Sequence, residues 1–196
     1  MMVKICGITN PEDAMAAVEG GASALGFNFW RRSPRYVTPE TAREMIERLP
    51  AGVLKVGVFV DEDAATVSRI AREAGLDIAQ LHGQETARSF PQGTRVWKAV
   101  RIRGSFDVAQ LDEYPSEAIL LDGAANGESF DWTMAARVSR KLIIAGGLDA
   151  ENVKAAMEQA RPWGVDACSR IESAPGRKDH KKMTEFLAAA MAALRS

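Results

Sequence analysis

Two residues at the ends of apolar runs offer chemistry in this 196-residue chain: Cys6, after Val3-Lys4-Ile5, and Asp122, after Ala118-Ile119-Leu120-Leu121. A thiolate at position 6 would act as a general base. An unperturbed thiol has a pKa of about 8.5, so it needs a positive neighbour to work near neutrality. Lys4 lies two residues back, on the same face of a strand, and can supply that charge. A carboxyl at position 122 would act as a general acid if partial burial or nearby negative charge raises its pKa. A thiolate and a carboxyl with separated pKa values make a workable base and acid pair. Plainer readings stand beside these. A free cysteine is often a small buried apolar group. An aspartate at such a place also caps a following segment or faces water.

Further candidates sit at similar places. Gly146-Gly147 follows Ile143-Ile144-Ala145 and precedes Asp149. Glycines there let backbone N–H groups approach an anion, and a following helix N-terminus favours negative charge. Ser169, Arg170 and the basic run Pro175-Gly176-Arg177-Lys178 come after the last apolar run. Arg31, Arg32 and Arg35 stand within Arg31-Arg32-Ser33-Pro34-Arg35-Tyr36. Their guanidinium groups suit a carboxylate or a phosphate held in a bidentate contact, although such runs are often solvated. His82 ends another apolar run, where a lone histidine orients or packs more often than it ligates.

The elements that must position these groups alternate. Short apolar runs read as buried parallel strands at Val3–Ile8, Ala24–Phe29, Lys55–Val60, Ile78–His82, Val96–Ile102, Ala118–Asp122, Leu142–Ala145 and Val165–Ser169. Helical patterns fall between them at Pro11–Glu19, Pro39–Leu49, Asp63–Ala74, Ala150–Gln159 and Lys181–Leu194. Asn10 and Thr38 suit N-caps before prolines, and Gly75 suits a C-cap. Weaker helical patterns follow Gln84, Gly104 and Asp131. Right-handed βα crossovers repeated eight times close into a (β/α)8 barrel of the TIM type, an α/β fold; residues 1–196 then form one domain. An open α/β sheet is the alternative. In a barrel, chemistry gathers at the C-terminal ends of strands, and phosphate often binds after strands seven and eight. Cys6, His82, Asp122, Gly146, Gly147, Ser169 and Arg170 all occupy such ends.

The bulk numbers narrow the partners. Net charge is −1, from 25 basic and 26 acidic residues. That balance gives no general attraction to nucleic acid or to an anionic membrane. Two cysteines and two histidines form no CxxC or HxxxH pair, which argues against a structural zinc site. The N-terminal segment has no long apolar run of the kind at a signal peptide's centre, and no apolar run is long enough for a bilayer, so a reducing cytoplasm is expected.

The ordered motifs resemble phosphoribosylanthranilate isomerase of tryptophan biosynthesis over nearly the whole chain. They are Val3-Lys4-Ile5-Cys6-Gly7-Ile8-Thr9, Gly26-Phe27, Ser33-Pro34-Arg35-Tyr36, Val56-Gly57-Val58-Phe59-Val60 and Gln80-Leu81-His82-Gly83. Leu120-Leu121-Asp122, Phe130-Asp131-Trp132, Ala145-Gly146-Gly147-Leu148 and Pro175-Gly176-Arg177-Lys178-Asp179 follow. The resemblance implies a (β/α)8 barrel and an Amadori rearrangement of a phosphoribosyl amine, with no metal or organic cofactor. It implies Cys6 as base and Asp122 as acid. Arg35 is implied against the anthranilate carboxylate, with Gly146, Gly147, Ser169 and residue 170 as the phosphate cradle and His82 among the substrate-binding groups. The partner is then a small phosphorylated substrate, and the working unit a monomer or homodimer.

Two places depart from the family pattern. Ala124-Ala125-Asn126-Gly127-Glu128-Ser129 stands where the family often has a Gly-Gly-Thr-Gly-like loop. Ser169-Arg170-Ile171-Glu172 stands for Ser-Gly-Val-Glu, so Arg170 is expected to add a cationic side chain toward phosphate. Closure of the barrel would bring Cys168 on the last strand near Cys6 on the first, where the two could pair on oxidation. Two competing functions remain open here. One is a related ribosylamine isomerase of histidine biosynthesis that uses two aspartates, against which Cys6 argues. The other is a non-catalytic phosphosugar-binding barrel, against which the Cys6 and Asp122 pair argues.

Overall fold

The computed structural model describes residues 1–102, 104, 107–123 and 130–194. Eight strands run in chain order: β1 (Met2–Ile5), β2 (Ala24–Asn28), β3 (Leu54–Phe59), β4 (Ile78–Leu81), β5 (Val96–Arg101), β6 (Ala118–Asp122), β7 (Leu142–Ile144) and β8 (Gly164–Ala167). Each lies parallel to the next, and β8 returns to β1 with Ile5 opposite Ala167, closing the barrel. The fold is the expected (β/α)8 barrel rather than an open sheet.

The outer helices are α1 (Pro11–Glu19), α2 (Pro39–Ile46), α3 (Ala64–Ala74), α4 (Val153–Ala160) and α5 (His180–Ala193). Local chemistry sets their starts. Asn10 Oδ1, Thr38 Oγ1 and Asp63 Oδ1 accept from the N–H groups of Asp13, Thr41 and Thr66. Where helices were weakly expected, the chain instead forms short 3₁₀ turns at Ala87–Ser89, Val108–Glu113 and Trp132–Arg137. Only 14 residues separate Leu81 from Val96, which leaves little length for a full helix and two loops.

Several strands end sooner than the apolar pattern suggests. β1 stops at Ile5 because Gly7 takes φ +74°, which breaks the extended path. β8 stops at Ala167 because Cys168 leaves extended geometry at ψ −87°. Helix α4 begins at Val153 rather than Ala150. Asp149 accepts from the N–H groups of Glu151 and Asn152, and the Asn152 amide donates back to Gly147 O, tying 147–152 into a turn. An additional hairpin, β9 (Glu172–Ala174) with β10 (Arg177–Lys178), follows β8. No helix among the described residues is long and apolar enough to cross a membrane.

The barrel interior is layered by the two-residue period of its strands. Met2, Ala24, Val56, Ile78, Trp97, Ala118 and Ile143 fill the bottom as an apolar cluster. Outside, Ile5, Leu25, Phe27 and Phe59 pack under Ala17, Val67, Phe186 and Leu187 of the helices. Each such fully buried large side chain contributes roughly 1.5–3 kcal/mol. One layer up from the bottom, Lys4 and Asp166 meet inside the barrel. The third layer is the floor of the site.

Candidate active site

Alternation carries every second residue of the strands into one cavity of about 190 Å³ at the C-terminal mouth. Cys6, Asn28, Gln80, His82, Arg101, Asp122, Asp166 and Cys168 all face it. The cavity therefore gathers Cys6 and Asp122, which lie on strands three apart around the ring. Arg35, Gly146, Gly147, Ser169 and Arg170 line the same cavity. A larger space of about 850 Å³ lies beside it, between the loops after β2 and β3, and holds none of the predicted acid, base or glycine groups.

Beneath Cys6, the ammonium of Lys4 donates to Asp166 Oδ2 at 2.7 Å, with Lys4 fully buried. Burial by itself would lower the Lys4 pKa. The charges of Asp166 and Cys6 outweigh it and hold the ammonium above the ordinary lysine range. Asp166 is the weaker ionic member of the pair. Burial raises its carboxyl to about 7, helped by the negative charges of Cys6 and Asp122 and opposed by Lys4. Lys4 is thus the positive neighbour expected for Cys6, but it is shared with Asp166.

The Cys6 thiol lies well below its ordinary pKa. The Cys168 thiol donates to it, and Lys4 and Lys178 add positive charge that overcomes burial. Cys168 is correspondingly held protonated, because its hydrogen bond to Cys6 and its own burial both favour the thiol. Gly26 makes the approach of Lys4 and Cys6 possible. A Cβ there would lie 2.8 Å from Cys6 Sγ and 3.1 Å from Lys4 Nζ.

On the far wall, His82 Nε2 stands 3.2 Å from Asp122 Oδ2. The contact is close but out of hydrogen-bond alignment, since Nε2 makes no hydrogen bond. Gln80 Nε2 lies 3.4 Å from His82 Nδ1. The loop carrying His82 is pinned from below. Lys98 Nζ donates to Gly83 O at 2.8 Å and Glu85 Oε2 at 2.9 Å, and Glu85 accepts from Gly83 N–H and Asp61 N–H.

Of the three clustered arginines, only Arg35 turns inward; Arg31 lies over the Tyr36 ring and Arg32 is exposed. Arg35 makes a bidentate pair with Glu172, Nε to Oε1 at 2.9 Å and Nη2 to Oε2 at 2.6 Å. Burial would raise the Glu172 carboxyl, but Arg35 and Lys178 hold it below the usual range. Lys178 is a correction to the expected basic phosphate loop. Its ammonium is buried on Glu172 Oε1 at 3.0 Å and Cys168 O at 3.3 Å, so it braces the hairpin instead of lining the mouth.

Gly146 and Gly147 take φ +82° and +65°, successive left-handed residues at the end of β7. A side chain would be strained at either place. Beside them Ser169 opens a 3₁₀ turn, and Arg170 Nε donates to Asp149 Oδ2 at 2.6 Å. Arg170 remains 47% exposed at the rim. The residues Ala124 to Ser129, expected to differ from the family's loop, lie outside the described residues.

The residues missed by sequence reasoning are Gln80 and Glu172. Alternation along the last strand already turns Asp166 inward with Cys168; its contact with Lys4 comes from barrel closure. Glu172 gave none, because its partner Arg35 is 137 positions away.

Known proteins share this fold and sequence. The family model described as N-(5'phosphoribosyl)anthranilate (PRA) isomerase matches residues 3–189. The chain is 56% identical over 200 residues to N-(5'-phosphoribosyl)anthranilate isomerase of Solibacter usitatus, covering 99% of each. It superposes on the crystal structure of phosphoribosyl anthranilate isomerase from Thermus thermophilus with a TM-score of 0.93 at 39% identity, covering 100% of both chains. A second crystal structure, a phosphoribosyl anthranilate isomerase in complex with reduced 1-(o-carboxyphenylamino)-1-deoxyribulose 5-phosphate, gives 0.90 at 39% identity, covering 98% of this chain and 99% of that one.

Proposed function

The chain belongs to the N-(5'-phosphoribosyl)anthranilate isomerase family, and from that premise we propose that Cys6 is the general base and Asp122 the general acid of its reaction. The enzyme isomerises N-(5'-phosphoribosyl)anthranilate to 1-(2-carboxyphenylamino)-1-deoxyribulose 5-phosphate in tryptophan biosynthesis. The observation that carries the assignment is the single cavity into which strand alternation turns a low-pKa thiol and a carboxyl from separate strands.

The reaction divides between the two walls. Asp122 gives its proton to the furanose ring oxygen, the C1–O bond breaks, and the nitrogen lone pair forms a Schiff base. The Cys6 thiolate then removes the proton on C2; the C2–H electrons form a C1=C2 double bond and the C=N electrons return to nitrogen, giving an enolamine. Tautomerisation yields the ketone. The substrate nitrogen is the electron sink, so the protein's task is proton placement. His82 Nε2 stands 3.2 Å from Asp122 Oδ2 on the same wall. Lys4 holds positive charge beneath the thiolate.

Substrate placement follows the mouth. Arg35 receives the anthranilate carboxylate, with Glu172 fixing the plane of its guanidinium. Gly146, Gly147 and Ser169 cradle the phosphate. Arg170 adds a cation from the rim, positioned by Asp149. Arg170→Gly is expected to raise KM about threefold to tenfold with little change in kcat, because one exposed charge contact is worth roughly 1 kcal/mol. The KM of the variant should also depend less steeply on salt. Unchanged KM and salt dependence would remove Arg170 from the phosphate site.

The function is tested by forming phosphoribosylanthranilate in situ and following loss of its fluorescence. Wild type should consume it without added metal or cofactor, and no loss would overturn the reading. The same reading carries a reducing cytoplasm as the compartment and a monomer or homodimer as the working unit.

A further inference from the structure

The base has an unusual neighbour. Cys6 and Cys168 each follow the last paired residue of adjacent parallel strands, Ile5 and Ala167. The Cys6 N–H donates to Ala167 O at 2.9 Å, which locks the two backbones together beyond the ladder. Both side chains face the same cavity. Neighbouring strands lie about 4.8 Å apart, inside the roughly 4.4–6.8 Å range of Cα separations that a disulfide spans. No side chain intrudes from the adjoining glycines: a Cβ on Gly7 would lie 3.0 Å from Cys168 Sγ, and one on Gly26 would lie 2.8 Å from Cys6 Sγ.

The surroundings favour nucleophilic sulfur. Lys178 Nζ lies 4.0 Å from Cys168 Sγ, and Lys4 lies beneath Cys6. The lowered pKa of Cys6 is consistent with this setting. Proton transfer in the isomerisation needs one thiolate, so the mechanism leaves the second thiol without a covalent task. Disulfides in a reducing compartment are characteristically transient and redox-sensing.

We propose that Cys6 and Cys168 form a peroxide-reactive pair, with Cys6 as the attacking thiolate and Cys168 as the resolving thiol, closed reversibly as a disulfide across the active site. In the first step the Cys6 thiolate attacks a hydroperoxide oxygen. The O–O bond breaks, the sulfur is oxidised to a sulfenic acid, and hydroxide or alkoxide leaves. In the second step Cys168 loses its proton, and its sulfur attacks the Cys6 sulfur. The S–O bond breaks, and the oxygen leaves as water with that proton. With hydrogen peroxide the balance is two thiols and one peroxide to one disulfide and two waters. A small dithiol reverses it by exchange. Without Cys168, the sulfenic acid goes on to sulfinic acid, which a thiol does not reverse. Loss of activity on closure rests on Cys6 being the base; the covalent pairing does not.

The test treats fully reduced wild type with hydrogen peroxide and reads intact mass, the Cys6 and Cys168 peptides, and turnover. Wild type should lose two hydrogen masses, yield one cross-linked peptide pair, and regain its thiols and turnover with dithiothreitol. Cys168→Ser keeps a hydroxyl donor beside Cys6 but has no resolving sulfur. Compared with its own untreated activity, it should be lost irreversibly about tenfold faster than wild type, gaining two oxygen masses on Cys6. Cys6→Ser should form no cross-link. Two free thiols in wild type after peroxide would overturn the proposal, as would irreversible loss matching Cys168→Ser. A cross-linked enzyme that still turns over would support the pair and overturn Cys6 as base.

Discussion

Replacing Cys6 by alanine lowers kcat by about 10³-fold, within the roughly 10²–10⁴ expected for removal of a general base. KM should change little, because the charged and phosphate-facing groups of the mouth are untouched. The melting temperature should stay within about 4 °C of wild type, since one thiol contributes on the order of 1 kcal/mol. Single-turnover kinetics with phosphoribosylanthranilate make the measurement, and a variant that keeps wild-type kcat would end the proposed mechanism. The pH profile carries the same claim. A base must be deprotonated, so activity falls as pH drops through the Cys6 pKa. That acid limb should lie well below the ordinary thiol value, because Cys168 donates to Cys6 and Lys4 and Lys178 add positive charge. Cys168→Ala removes the donor named first among these causes. The limb should then move to higher pH, and activity at neutral pH should fall although the base itself is intact.

Asp122→Asn is the complementary case. An amide is nearly isosteric with the carboxyl but has no proton to give the ring oxygen, so kcat should fall by about 10²–10⁴-fold. His82 stays 3.2 Å from the replaced group, and the substitution leaves the packing of Leu120 and Leu121 unchanged. Binding should therefore survive. The reduced product analogue, already open-chain, needs no acid; its Kd should remain within about threefold of wild type, a difference of roughly 0.7 kcal/mol. Calorimetric titration reads that value. Loss of analogue binding with retained turnover would reverse the assignment, making Asp122 a binding group.

Much of this was legible along the chain, for identifiable reasons. Ala118-Ile119-Leu120-Leu121 and Leu142-Ile143-Ile144-Ala145 are apolar on both faces, which only a strand covered on both sides tolerates. Asn10-Pro11 and Thr38-Pro39 announce helix starts through a side-chain acceptor and a preset φ. The ends of elements were less legible. Ile8 is as apolar as Ile5, yet β1 stops at Ile5 because Gly7 turns the backbone to positive φ. The segments after Gln84, Gly104 and Asp131 carry helical patterns, but only short 3₁₀ turns form there.

Cys6 and Asp122, the feature with which the sequence began, were determined as candidates by the chain alone: each closes an apolar run at the end where a barrel exposes its strands. The chemical character of Cys6 was decided by the tertiary structure. The Lys4–Asp166 contact joins residues 162 positions apart, and Arg35–Glu172 joins residues 137 apart. Cys168 sits beside Cys6 only because β8 closes on β1. Residue type sets which protons a group can carry. Burial and through-space charge set whether it carries them at neutral pH, and both exist only once the barrel has closed.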